Sequence, residues 1–171
     1  MATSILADGF AHHAWATLRL IDACSKLTPE QLNASVPGIY GSILTTLNHM
    51  VASDSYYLAR CTDGEFTPWD DEEQQLNLPE LRAAVERQAA GWEQLLERDL
   101  DPDAVTVARL DDGSEYHAPL GLRLAQVLHH GTDHRSQVCT VMTSLGIEPP
   151  GIDLWDYGDD VGRTKDVPAP A

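Results

Sequence analysis

LGLRLAQVLHHGTDHRSQVCTVMTSL, residues 120–145, reads as a single helix, and this reading decides the fold. Leu124, Val127, Leu128, Val138, Val141, Met142 and Leu145 recur at about 100° per residue and form its core stripe. Gly146 supplies the stop. Three earlier segments carry the same signature. From Ser4 to Leu27, residues Leu6, Phe10, His13, Ala14, Thr17, Leu20, Ile21 and Cys24 share one side, opposite His12, Arg19, Asp22 and Lys26. From Ser42 to Cys61 the apolar stripe is Ile43, Leu47, Met50, Val51, Tyr57, Leu58 and Cys61. Asp54 falls inside that stripe and needs a partner if buried. Thr45, His49, Ala52 and Tyr56 form a separate face of the same helix. A third helix runs from Leu78 or Pro79 to Asp99, capped by Asn77, with Leu81, Val85, Trp92, Leu95 and Leu96 apolar.

The connections carry their own signals. Thr28-Pro29-Glu30 is a cap followed by a first-turn proline, opening a short turn through Leu32, and Val36-Pro37-Gly38 is a breaker. Residues 62–77, TDGEFTPWDDEEQQLN, read as an acidic loop whose Trp69 helps shape a pocket. AVTVARL and SEYHAPL flank Asp111-Asp112-Gly113 and predict a β-hairpin. Beyond Pro149-Pro150, Gly, Pro and Asp are too frequent for a helix. Ile152, Leu154, Trp155 and Tyr157 are expected to anchor the start of this tail, with residues 155–171 otherwise loose. Four amphipathic helices of about 20 residues each predict an all-α protein, a four-helix bundle with a short hairpin before the last long helix. The whole chain, 1–171, reads as a single domain.

Composition narrows the function. Eleven Lys and Arg against 27 Asp and Glu give a formal charge of -16, which repels phosphate backbones and anionic lipid. Nucleic acid and membranes are therefore excluded as expected partners. Cys24, Cys61 and Cys139 are far apart and form no CxxC pair, so neither a disulfide framework nor a thiolate zinc site is encoded. MATSILADGF lacks the basic start and apolar core of a signal peptide, and no stretch approaches the roughly 20 apolar residues of a membrane span. The expectation is a reduced, cytoplasmic, acidic protein.

Chemistry is sought among the seven histidines. His130 and His134 are four apart, so on a helix one imidazole stands a turn above the other. That spacing lets two ring nitrogens reach one divalent ion, each at about 2.0–2.1 Å. His129 is turned by about 100° away from the core, and Asp133 also points outward. A metal site needs a further ligand, and spacing alone leaves His49 and His13 both open. His12 falls on the polar side of its helix, and His117 lies in the hairpin without evident partners. Other chemistries lack their residues. Gly131 stands where a zincin motif requires Glu. There is no pair of Glu-x-x-His motifs for a di-iron bundle, no phosphate loop and no G-x-S-x-G elbow. Cys24 and Cys139 read as packing residues.

The chain resembles the DinB family, also called DinB/YfiT-like metalloenzymes. Ser42-Ile43-Leu44-Thr45-Thr46-Leu47-Asn48-His49, followed by Asp54 and Tyr57, is similar to the family's second-helix motif with its metal histidine. Leu128-His129-His130 through His134-Arg135-Ser136-Gln137 is similar to its closing H-x3-H-R-G-Q signature, with Ser136 replacing the usual Gly. His12-His13-Ala14-Trp15-Ala16 and the ending Gly146-Ile147-Glu148-Pro149-Pro150 with Asp153-Leu154-Trp155 also match. The Ser136 change is small and sits between positions expected to face outward.

The resemblance implies a four-helix bundle, often a homodimer, holding one divalent metal ion, zinc or nickel, through His49, His130 and His134. Three imidazoles leave a coordination position open, the arrangement that lowers the pKa of a water or thiol. Relatives include S-transferases and isomerases that use bacillithiol, mycothiol or glutathione. Transfer of a low-molecular-weight thiol to a small electrophile is thus the leading expectation, followed by metal-assisted hydrolysis. A non-catalytic metal-binding or bacterial stress-response protein on the same fold is the alternative. Asp54, Thr45, Arg135 and Gln137 are candidates to hold the ligating rings. Arg135 is also the basic group expected to offset the negative field around an anionic thiol.

Overall fold

Helix starts coincide with the capping residues. The computed structural model describes residues 4–68, 75–110, 112–167 and 169. Helix α1 spans Ile5–Cys24, and the Ser4 hydroxyl accepts from the Ala7 N–H. The single-turn α2, Pro29–Leu32, opens on a reciprocal capping box between Thr28 and Gln31. Ser42 caps α3, Ile43–Cys61, and Asn77 with Glu80 boxes the start of α4, Leu78–Leu96. Each such cap stabilises its helix by about 1 kcal/mol.

Strands β1, Val105–Arg109, and β2, Glu115–Pro119, form an antiparallel pair with Val107 opposite His117. Thr106, Ala108 and Ala118 face inward. Asp111 at the turn lies outside the described residues. Helix α5, Leu120–Ser144, follows directly and has no side-chain cap. Instead the chain before β1 satisfies it, as the carbonyls of Ala104 and Pro102 accept from the Leu120 and Gly121 N–H groups. The buried Arg123 then donates to the Thr106 hydroxyl at 2.6 Å, tying hairpin to helix. At the far end Gly146, with φ of 72°, turns the chain so that the Ile147 N–H reaches the Met142 carbonyl.

Helix α1 packs on α4 and α5, and α3 packs on the same two helices. Two apolar clusters result. One joins Leu20, Ile21, Leu47, Met50, Leu81, Val138 and Met142, and the other joins Phe10, Leu58, Trp92, Leu95, Leu124 and Val127. Between them every long helix passes through a buried polar layer. His13 and Thr17 come from α1, Asp54 and Ser55 from α3, Gln88 from α4, and His134 and Arg135 from α5. Gln88 donates to the Val51 carbonyl at 2.8 Å, joining α4 to α3. No helix among the described residues is long and apolar enough to cross a membrane.

The tail corrects the sequence reading. Leu154–Asp160 form a helix, α6, because Asp153 and Asp156 build a capping box instead of disfavouring the helix. Tyr157 meets Trp15 edge-on at 5.6 Å, and Trp15 and Arg19 both donate to Asp160. Arg163 pairs with Asp8 further on, so this part of the tail is held against α1. Leu154 and Trp155 are not the anchors, being 53% and 76% exposed. Two smaller corrections concern ends. Helices α1 and α4 stop at Cys24 and Leu96, short of Leu27 and Asp99. Leu6 and Leu145 lie at the limits of their helices and are exposed. Trp69, with its expected role at a pocket, lies outside the described residues.

Candidate metal centre

Helices α3 and α5 meet across the polar layer, and their facing histidines converge there. One ring nitrogen each from His49, His130 and His134 lies within 4.8 Å of the others. The Nε2 atoms of His49 and His130 are 3.2 Å apart. The His130 and His134 rings, one turn apart on α5, have centroids separated by 4.4 Å. Neighbours orient these rings. Gln137 Oε1 accepts from His134 Nδ1 at 3.0 Å and from the Tyr40 N–H at 3.1 Å. That bond places the His134 proton on Nδ1 and leaves the Nε2 lone pair free for a metal. Tyr40 itself stacks on His49 at 3.9 Å and meets His134 edge-on at 5.3 Å. Asn48 brackets Leu76 with two hydrogen bonds, fixing the chain next to His49.

The residues fit a divalent ion. Burial, then the neighbouring His134, lowers the His130 pKa to about 4, so its imidazole is neutral at pH 7 and ready to ligate. The group holds three imidazoles and neither carboxylate nor thiolate, a donor set suited to zinc or nickel. His130 Nδ1 is buried without a hydrogen-bond partner among the described residues, and so is Asp54 Oδ1. The Asp54 charge acts on His130 in the direction that favours the protonated ring.

A second, sealed group lies directly beside this one. Asp54 Oδ2 accepts from His13 Nε2 at 2.5 Å, and Arg135 Nη1 donates to His13 Nδ1 at 3.1 Å. Because Arg135 can only donate, His13 is neutral with its proton on Nε2. The His13 carbonyl, Thr17 and Thr132 accept the remaining Arg135 bonds. All three members are buried, at 3%, 5% and 3% exposure. Gly131 makes the group possible. A Cβ there would stand 2.2 Å from His13 Cε1 and 2.6 Å from Nδ1.

The model of the DinB family matches residues 1–163 of the chain. The chain belongs to the DinB family. No match is found among curated proteins.

In this DinB-family chain, packing separates the two histidines that spacing left open: His49 joins the pair on α5, and His13 joins Asp54. The partner that Asp54 required is therefore His13. Arg135 does not face the three histidines, which corrects its expected place beside them and shows that Ser136 has one buried neighbour. Thr45 is exposed, and among the described residues its hydroxyl bonds Ser42 at the start of α3 and none of the three rings. His129 and Asp133 are exposed as the helical wheel requires. His12, expected on the polar surface, is half-buried and donates to the carbonyl of Ile152, one of the expected tail anchors, and its ring meets that of Tyr157. His117 bonds Glu115. Tyr40 went unnoticed because a lone tyrosine after a glycine turn carries no periodic signal. Gly131 did carry one, a glycine in mid-helix, which costs about 1 kcal/mol and calls for a packing reason.

The cysteines offer no reactive thiol. Burial raises the Cys24 pKa to about 12 and that of Cys61 to about 11, and it raises Cys139 as well.

Proposed function

We propose that this protein is a metal-dependent enzyme in which His49, His130 and His134 hold one zinc or nickel ion per chain. The supporting observation is the convergence of three imidazoles from α3 and α5, with His134 oriented by Gln137. A bound ion would supply Lewis acidity, lowering the pKa of a thiol or water at neutral pH. Transfer of a low-molecular-weight thiol to a small electrophile is the favoured reaction, and hydrolysis the second. The raised pKa of all three cysteines supports an external thiol, since the chain provides no thiolate of its own. Around this centre the four long helices form one bundle and one domain, and the active form is a cytoplasmic homodimer.

Gln137 would fix the tautomer of His134, and Tyr40 would shield the His49 ring face from water. The Asp54 carboxylate would steady His130 from the side away from the ion. Metal content by mass spectrometry on the untagged protein tests the centre. About one ion per chain is expected, lost in His49→Ala, His130→Ala and His134→Ala. A folded wild type that stays metal-free after reconstitution would overturn it. Should His130→Ala lose the metal but keep full thiol-transfer activity, the metal-dependent reading fails; a metal-loaded wild type with neither thiol-transfer nor hydrolytic activity would favour a metal-binding stress protein.

A further inference from the structure

Beyond His49 along α3, a cleft of about 850 Å³ opens between the end of that helix and the hairpin. Tyr56, Arg60, Phe66, Val107 and Arg109 line it. Arg60 is one of four arginines, with Arg87, Arg123 and Arg135, that make no ion pair among the described residues. Arg19, Arg82, Arg98, Arg109 and Arg163 each pair with a carboxylate. Arg60 has no such pair among the described residues. Its Nη2 donates to the Tyr56 hydroxyl at 3.0 Å, and its guanidinium lies 4.5 Å from the centre of the Tyr56 ring. Its Nε is buried with no hydrogen-bond partner. The guanidinium is thus held against the Tyr56 ring with no carboxylate among the described residues to match its charge. Because Tyr56 accepts from Arg60, its own O–H remains available to donate. Of the two acids in the cleft, Glu115 is already held by Arg109 and His117, and Asp63 makes no ion pair with Arg60.

Position relates this cleft to the metal centre. His49, Tyr56 and Arg60 are seven and four residues apart, which puts them on one face of α3, with Tyr56 about 10 Å along the axis from His49. A row of rings links the two places. Tyr57 lies 6.0 Å from His130 and 6.5 Å from Tyr56.

We propose that Arg60 and the Tyr56 hydroxyl bind the carboxylate of a small ligand in this cleft, and that the ligand is the carboxylate-bearing thiol of the reaction, its sulfur directed toward the three histidines. The identity of the ligand rests on the thiol reading, whereas carboxylate binding at Arg60 does not require the metal. A charged, planar fork on an otherwise negative surface selects such a group and supplies the local positive charge that Arg135, buried against His13, does not.

S-methylglutathione, whose capped sulfur cannot ligate as a thiolate, is the probe. It is titrated calorimetrically into the wild type, metal-free His130→Ala, Arg60→Gln, Arg60→Lys and Tyr56→Phe. Binding is expected to be equal in the first two, about 10-fold weaker or more in Arg60→Gln, intermediate in Arg60→Lys, and about 3-fold weaker in Tyr56→Phe. Amide shifts on the wild type should cluster at the end of α3 and on β1, which keeps the test valid if a variant misfolds. Equal affinity in folded Arg60→Gln, shifts confined elsewhere, or no binding to the wild type would overturn the site. Metal content of the wild type, measured separately, reports on the metal centre, so a wild type that binds the probe yet takes up no metal after reconstitution sinks only the enzyme reading.

Discussion

Helix α5 presents adjacent residues to two histidine groups with opposite surroundings. Gly131 and Arg135 face His13, where imidazole, guanidinium and the Asp54 carboxylate are all buried and nearly saturate one another. His130 and His134 face His49, and their ring nitrogens point at one another. The first group has matched charges and room for nothing else. The second brings three imidazoles to one point with only an Nε2–Nε2 hydrogen bond between two of them, a donor set that can take up a cation. Identical side chains thus serve structure or chemistry according to whether their hydrogen bonds close within the protein.

This contrast predicts that damage to the sealed group shows as lost stability, and damage to the open group as lost metal. Asp54→Ala should have the largest effect. It strips His13 of its acceptor and leaves the Arg135 charge buried without its counter-charge, a loss of about 3–5 kcal/mol in urea unfolding. A change under about 1 kcal/mol would show that the group is not structural. Gly131→Ala comes next. Helix propensity alone would stabilise it by about 1 kcal/mol. The collision with the rigid His13 ring outweighs that gain, and a net loss of about 2 kcal/mol is expected by the same measurement. A more stable variant would mean that α5 moves away without cost.

The open group should behave in reverse. His49→Ala is expected to abolish metal uptake while the metal-free protein unfolds within about 1 kcal/mol of the wild type. Unfolding as severe as in Asp54→Ala would erase the distinction. Gln137→Leu removes the acceptor for His134 Nδ1 and should weaken metal affinity about 10- to 100-fold, read from competition with a chelator. The smallest effect is on the thiols. Their native pKa values lie above the ordinary one, so the thiolate fraction at pH 8 is lower in the folded chain than in the unfolded one. Iodoacetamide should therefore label the native protein far more slowly than the denatured chain at pH 8, with Cys24, which is fully buried, the slowest of the three. Fast native labelling at pH 8 would return a protein cysteine to the list of nucleophiles.

Much of this was legible beforehand. Ser4, Ser42 and Asn77 announced their helices because a cap is a local bond, made within three residues of itself. The pairing of His130 with His134 was equally local. The place of Arg135 was not, since its long side chain reaches back across the helix to His13, and the wheel records only where a side chain leaves the backbone. Helix α6 was missed because acidic residues were counted as breakers when two of them are caps.

The sequence by itself determined the four long helices, the hairpin, the family, and the fact that two histidines share a turn of α5. All of these depend on contacts a few residues apart or on patterns held along one element. Only the tertiary structure decided that His49 meets that pair while His13 is sealed against Asp54, that Tyr40 covers the rings, and that Arg60 is left facing a cleft. Periodicity states which side of a helix is buried. It does not state which neighbour buries it, because that choice is made by the packing of α1 and α3 against the same helix.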